Sequence, residues 1–187
     1  MQELWARFER WLQLNAPQSL NNLNPGASET ELVELAELIG AELPADFQAF
    51  YRIHNGQDVN GSGLFAGEEL LSVARMRDEW TVWNGLLKEG IFEEGAPTSD
   101  PGVRNNWWNP KWLPLTYNGA GDHCCLDLDP APDGTIGQVI RMWHDMDMRP
   151  LLAHSFTEWI TSYVTALEAG EYFFSEEYNE IILVDDV

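Results

Sequence analysis

At Trp112 the apolar pattern of this chain changes its period, and that switch limits the fold more than any other feature. Upstream, apolar residues recur at helical spacing. The sets are Leu4, Phe8, Trp11 and Leu12; Leu32, Leu35, Ala36 and Ile39; Phe47, Phe50, Tyr51 and His54; and Val73, Met76, Trp80, Trp83 and Leu87. Each covers one face of a helix. From 112 onward the apolar runs are short and separated by turn sequences. Residues 112–117 precede Asn118-Gly119, residues 123–128 precede Pro132-Asp133-Gly134, and 137–144 and 149–153 follow. This spacing predicts an antiparallel meander. Phe156, Trp159, Ile160, Tyr163, Val164 and Leu167 then restore the helical period. Helices followed by a meander and a closing helix specify an α+β class: one domain over residues 1–187, with a mainly antiparallel sheet of about five to six strands and helices packed around it.

Punctuation supports these boundaries. Ser28 with Glu31 and Ser155 with Glu158 have capping-box spacing, while Gly40 and Gly170 supply left-handed C-terminal positions. Pro44 suits the opening turn of the third helix, and Asn55-Gly56 suits its end. Gly90 ends the fourth helix. Residues 16–27, with Pro17 and Pro25, read as a loop, and 61–71 as a short strand or turn. Residues 91–106 read as an exposed loop or insertion. Residues 171–187 form an acidic tail in which the β-branched run 181–184 suits an added strand.

Charge narrows the function. The chain has 31 Asp plus Glu against 10 Lys plus Arg, a net charge of −21. Binding nucleic acid by counterion release needs clustered cations, so no nucleic-acid partner is expected. Apolar stretches stop short of the ~18 residues that span a bilayer, and MQELWARFER lacks the order of a signal peptide, so the expectation is a cytoplasmic protein without a membrane partner. Cys124 and Cys125 are adjacent and cannot close a stabilising loop, which fits reduced thiols. A compact chain of 21.3 kDa should expose roughly 9,000 Å², enough for one core.

Candidate chemistry is sparse. His123, Cys124, Cys125 and Asp127, with His144 and Asp145 downstream, are the sharpest metal candidates. Strand alternation turns the two thiols to opposite faces, so buried thiols and an edge histidine are expected, with no metal. Asp127, Asp129, Asp133 and Gly134 resemble a calcium loop only faintly, since Ala131 and Gln138 stand where ligands should be. Ser155 has a capping role and no nucleophile elbow, and Gly61-Ser62-Gly63 lacks the lysine of a phosphate loop. No catalytic residue and no cofactor are expected. Trp11, Trp80, Trp83 and Trp159 fall on helical stripes and Trp143 alternates with Arg141 on a strand, which leaves Trp107, Trp108 and Trp112 as the cluster without an assigned interior. These three either pack under the neighbouring loop or face a partner.

The run WLPLTYNGAGDHCCLDLDP (112–130), then GTIGQVI (134–140), then LLAHSFTEWITSYV (151–164), resembles the SUKH superfamily in its Smi/Knr form, as does the upstream LPADFQAFYRIHNGQ (43–57). The pieces occur in order and cover about 28–170. The resemblance implies the same α+β fold and a non-enzymatic role. Bacterial members are regarded as immunity proteins against polymorphic, often nuclease, toxins, and fungal relatives act in cell-wall assembly and its regulation. The leading expectation is therefore an immunity protein whose acidic surface covers a basic toxin domain. The alternative is a regulatory scaffold of the cell-wall-assembly type, and a carbohydrate-binding or carbohydrate-active protein ranks third. Because loops carry partner-specific contacts, the expected partner-binding residues are Asp58, Glu68, Glu69, Asp122, Asp129, Asp145 and Asp147, with Trp107 and Trp108 as anchors. Oligomeric state stays open between monomer and weak dimer.

Overall fold

The computed structural model describes residues 1–92 and 97–184. Its elements, in chain order, are α1 (Gln2–Asn15), α2 (Pro17–Asn21), α3 (Glu29–Ile39), α4 (Ala45–Tyr51), β1 (Glu69–Leu70), α5 (Val73–Lys88), β2 (Thr98–Ser99), β3 (Trp112–Pro114), β4 (Thr116–Tyr117), β5 (His123–Asp127), β6 (Gln138–Met142), β7 (Met148–Arg149), β8 (Leu151–Ala153), α6 (Phe156–Ala169), β9 (Tyr172–Ser175) and β10 (Glu180–Leu183). The α+β class expected from the period switch is present. The described residues expose 9119 Å², close to the scaling expectation. Among them, no helix is long and apolar enough to cross a membrane.

The central sheet has four antiparallel strands in the order β3-β5-β6-β8, with His123 opposite Met142 and Asp127 opposite Gln138. It is narrower than the sequence predicts because the 181–184 run pairs outside it, and its two outer strands are shortened at proline, which has no N–H for a ladder. The 112–117 run divides into β3, ending at Pro114, and β4, which pairs with β1. The 149–153 run divides at Pro150 into β7 and β8, and β7 pairs in parallel with β2. The run at 181–184 forms a hairpin, β9–β10, rather than extending the central sheet. Ile181 is buried, and its N–H donates to the Gly63 carbonyl.

β5 lies between two neighbours and is buried at every position, so both its faces are covered. Cys124 faces Trp159 and Tyr163 of α6, while His123, on the opposite face, meets Trp83 of α5. On the α6 side, rings connect the elements: Trp5 stacks on Phe50 at 4.4 Å, Phe50 meets Phe156 at 5.2 Å, and Phe65 lies against Trp159 and Tyr163 at 4.2 and 3.9 Å. On the α5 side, Phe92, Trp83, Trp108 and Trp112 form a second series. Both sets belong to one continuous apolar core.

The capping signals place α3 and α6 well. Ser28 and Glu31 form the full reciprocal box, and Gly40 and Gly170 are left-handed. At α6, Ser155 accepts from the Glu158 N–H, whereas the Glu158 carboxylate reaches one residue further back, to the His154 N–H. Residues 16–27 are not wholly a loop. Pro17 opens α2, and the buried Ser19 hydroxyl is hydrogen-bonded to Ser62 at 2.8 Å. α4 ends at Tyr51, before Asn55-Gly56. Asn55 instead caps a different helix, its side-chain oxygen accepting the Val73 N–H at the start of α5. Gly56, at φ +62°, is needed because a Cβ there would lie 2.5 Å from the Leu71 backbone. Residues 93–96 of the expected 91–106 loop, and 185–187 of the tail, lie outside the described residues. The described remainder of that loop is docked rather than free: β2 joins β7, Val103 is buried, and the Gly102 carbonyl accepts from Ala131.

Candidate functional site

Two connections come together beside the end of β5. In the turn 118–122, the Asn118 side-chain carbonyl oxygen accepts from the N–H groups of Ala120 and Asp122, and its amide donates to the Asp122 carboxylate at 2.6 Å. This is an Asx-type turn fixed by one side chain. Gly121 has φ +109°, and a Cβ there would be 3.1 Å from His144 Cβ, so its lack of a side chain lets the two connections touch. Asp122 then accepts both the backbone N–H of His144 (2.9 Å) and its ring Nδ1–H (2.8 Å). Asp145 approaches the same ring nitrogen, at 3.9 Å.

The following bend is held from inside by Arg149. Its side chain is fully buried, and its hydrogen bonds go to main-chain carbonyls. The guanidinium donates to the carbonyls of Met146 (2.7 Å), Met148 (2.6 Å) and Trp107 (2.8 Å), and lies 5.1 Å from the centre of the Trp107 ring. Burial lowers its pKa to about 10, so it stays charged at neutral pH. The outer side of the bend presents Asp145, Met146, Asp147 and Met148 to solvent.

His144 is pushed above its ordinary pKa chiefly by its hydrogen bond to Asp122. A raised histidine pKa stabilises the fold below the unfolded value near 6.5, and this contribution fades as pH rises through the folded value. An Asp122→Asn variant should bring the His144 pKa back toward 6.5, which ring-proton NMR titration reads directly. An unchanged pKa would show that Asp122 does not set it.

On the other side of the turn lies a half-buried ion cluster. Arg75 is shared by Glu69 (3.1 Å) and Glu79 (2.8 Å), and Arg141 pairs with Glu68 (2.6 Å). Three carboxylates thus face two guanidiniums, and burial raises the pKa of Glu79. The Tyr117 ring stacks on His123 and lies under Arg75, between two hollows of about 300 and 420 Å³. The smaller includes Glu69, Arg75 and Glu180; the larger includes Glu79, Trp83 and His144.

The structure brings Asp122, Asp145 and Asp147 together on one side and Glu68 and Glu69 into the adjacent ion cluster. Asp58 is exposed, accepts from Asn60 and lines neither hollow. Asp129 is held by Arg104 and Asn109. Trp108, expected as an anchor, is a correction. It is 2% exposed and packs between Trp83 and Trp112, so its apolar area is already inside the core. Trp107 is half-buried beneath Arg149. Sequence reasoning missed Arg75, Glu79, Tyr117, Arg141 and Arg149. One signal was present, since Arg75, Glu79 and Trp83 follow each other at i, i+4 on one helix face.

The β5 residues considered for metal binding have other partners. His123 is a central histidine rather than an edge one: its Nε2 accepts the Trp83 indole N–H (3.0 Å) and its Nδ1–H donates to the Thr116 carbonyl (2.7 Å). Burial depresses its pKa to about 4, so it is neutral at pH 7. Burial pushes the Cys124 thiol up to about 11 and raises Cys125 well above its ordinary value, so neither is a thiolate nucleophile at neutral pH. Asp127 accepts from the Asp129 N–H and from Gln138, closing the β5–β6 turn. Elsewhere, Asp122, His144 and Asp145 offer ligand atoms within 4.8 Å of one another, with a proton on the ring nitrogen satisfying the same geometry. The arrangement is suited to presenting fixed charge, with titratable groups engaged in structural bonds.

A family model described as the SMI1 / KNR4 family (SUKH-1) matches residues 26–162. The chain is 25% identical to the glucan synthesis regulatory protein of Neurospora crassa over 215 residues, covering 96% of this chain and 40% of that protein. It is 26% identical to the cell wall biosynthesis/cell cycle regulator smi1 of Schizosaccharomyces pombe, covering 97% of this chain and 39% of that one. F-box only protein 3 of Bos taurus is 25% identical, covering 91% of this chain and 35% of the relative. The chain therefore spans less than half the length of each of these relatives.

Proposed function

Because this chain belongs to the SMI1/KNR4 family (SUKH-1), we propose that it is a regulatory binding module, which holds a protein partner against its acidic face and makes or breaks no bond. The observation that carries this reading is that relatives aligned along nearly the whole chain are named as regulators. The site agrees in kind: its histidines and carboxylates are tied to structural partners, and fixed acids project from a bend braced by Arg149. The relatives' names favour the scaffold alternative over toxin immunity. The immunity reading keeps one support, the −21 charge, but an acidic face serves any basic partner equally well.

The physical role of the bend follows from long-range electrostatics. Charges at Asp145 and Asp147 accelerate encounter with a basic surface, and apolar contacts made after docking set its lifetime. Surface plasmon resonance with a partner recovered by cross-linking is the test. The double variant Asp145→Lys/Asp147→Lys should slow association by about tenfold at low salt, with little change in dissociation and a difference that shrinks as salt rises. Association indifferent to salt, or turnover of a substrate by the purified protein, would overturn the proposal.

A further inference from the structure

The larger hollow combines an apolar floor with an acidic surround. Trp83 and Phe92 form its floor, their rings stacked 5.7 Å apart, and Leu86 and Tyr117 border it. Val82 and Ile91 stand at its lip, 57% and 62% exposed. The floor is pre-arranged. Trp83 is fixed from behind by its hydrogen bond to His123 and by stacking on Trp108, so a ligand would meet apolar surface that needs no reordering.

Carboxylates surround this apolar patch. Glu79 lines it and shares its single guanidinium with Glu69. Asp78 lies one helical turn before Val82 and is exposed. On the opposite side His144 lines the hollow, with Asp122 and Asp145 both near its Nδ1. A second copy of this chain would bring −21 toward −21, and a phosphate-bearing surface would meet the same repulsion. Charge and shape together select a cationic occupant with an apolar side.

We infer that this groove, between the second half of α5 and the 117–121 turn, docks a basic amphipathic segment of a partner protein, its apolar stripe on Trp83 and Phe92 and its Lys or Arg residues beside Glu79 and Asp145. The inference rests on the binding-module reading and gives it a place and a ligand chemistry. Helix-in-groove recognition uses anchors at i, i+3, i+4 and i+7, with the charge on the remaining positions.

The test uses the full chain and a fluorescein-labelled 15-residue peptide with Leu at those positions and Lys elsewhere. A scrambled peptide of identical composition and a Glu-for-Lys version serve as controls. The striped peptide should bind at least about tenfold more tightly than the scrambled one, and the acidic version should not bind. Val82→Glu and Ile91→Glu each add a negative charge, so general attraction for Lys increases while the apolar contact is lost. Both side chains are exposed, so the fold is retained, which the thermal midpoint checks. Each variant should weaken the striped peptide by about tenfold. Equal affinity for striped and scrambled peptides, variants that bind like the parent, or no binding below about 100 μM would overturn the groove. A partner protein that binds Val82→Glu as well as the parent would likewise overturn it, while leaving the module a binding protein.

Discussion

Urea unfolding of an Arg149→Met variant should show a loss of about 2–4 kcal/mol, the cost of removing a fully buried guanidinium and leaving three part-buried carbonyls without their donor. Methionine fills much of the arginine volume but donates nothing, so the carbonyls of Met146, Met148 and Trp107 lose their guanidinium. Relief of the buried charge offsets part of the cost, since burial already draws the arginine pKa down to about 10. An Arg149→Lys variant separates charge from geometry. Lysine keeps the cation and up to three donors but lacks the planar fork that reaches carbonyls from both 107 and 146–148, so it should recover only part of the loss. If Arg149→Met unfolds at the same urea concentration as the parent, Arg149 does not brace the bend.

The second large effect is on pH dependence. His123 has a folded pKa of about 4 against an unfolded value of 6.5. Between these values the unfolded chain takes up a proton that the folded chain refuses, so stability falls as pH falls from 6.5 toward 4. The gap corresponds to ~3 kcal/mol. Asp127 and Glu79, whose pKa values are raised by burial, act in the opposite direction over the acidic range, so the parent curve alone mixes these effects. His123→Gln isolates the histidine, because glutamine offers one acceptor and a donor group but does not titrate. Whatever the substitution costs at pH 7, the parent should lose about 2–3 kcal/mol more than the variant on moving to pH 4.5. Parallel stability curves would show that His123 is not the group responsible.

Local chemistry made the helices legible. Ser28, Gly40, Ser155 and Gly170 act within a few residues of themselves, and the stripes they bound are long enough to show their period. Errors arose where one residue serves two parts of the chain. Asn55 looked like the end of α4 because its capping target, Val73, is distant in sequence, and α2 depends on Ser19 meeting Ser62. Prolines 114 and 150 were visible, but their division of strands shows only once β1 and β2 supply the alternative pairings.

The site was legible to the extent that it consists of turns. Asp122, Asp145 and Asp147 could be picked out as acids beside turn residues, although only Asp145 and Asp147 are exposed and Asp122 is half-buried under its bonds to His144. The Arg75 cluster, the bond from Trp83 to His123 and the burial of Trp108 depend on residues that meet only once the chain has folded, and no pattern in sequence marks them. Trp108 shows the difficulty most clearly. Its sequence neighbours belong to a loop, while its spatial neighbours are Trp83 and Trp112.

Arg149 grips the 144–148 bend by its main chain, so the bend's shape does not depend on which side chains it carries at 145 and 147. Two molecules with this brace could carry unrelated outward residues and still fold alike. The bend can therefore change its outward residues, or be exchanged as a cassette, without the interior having to be repaired.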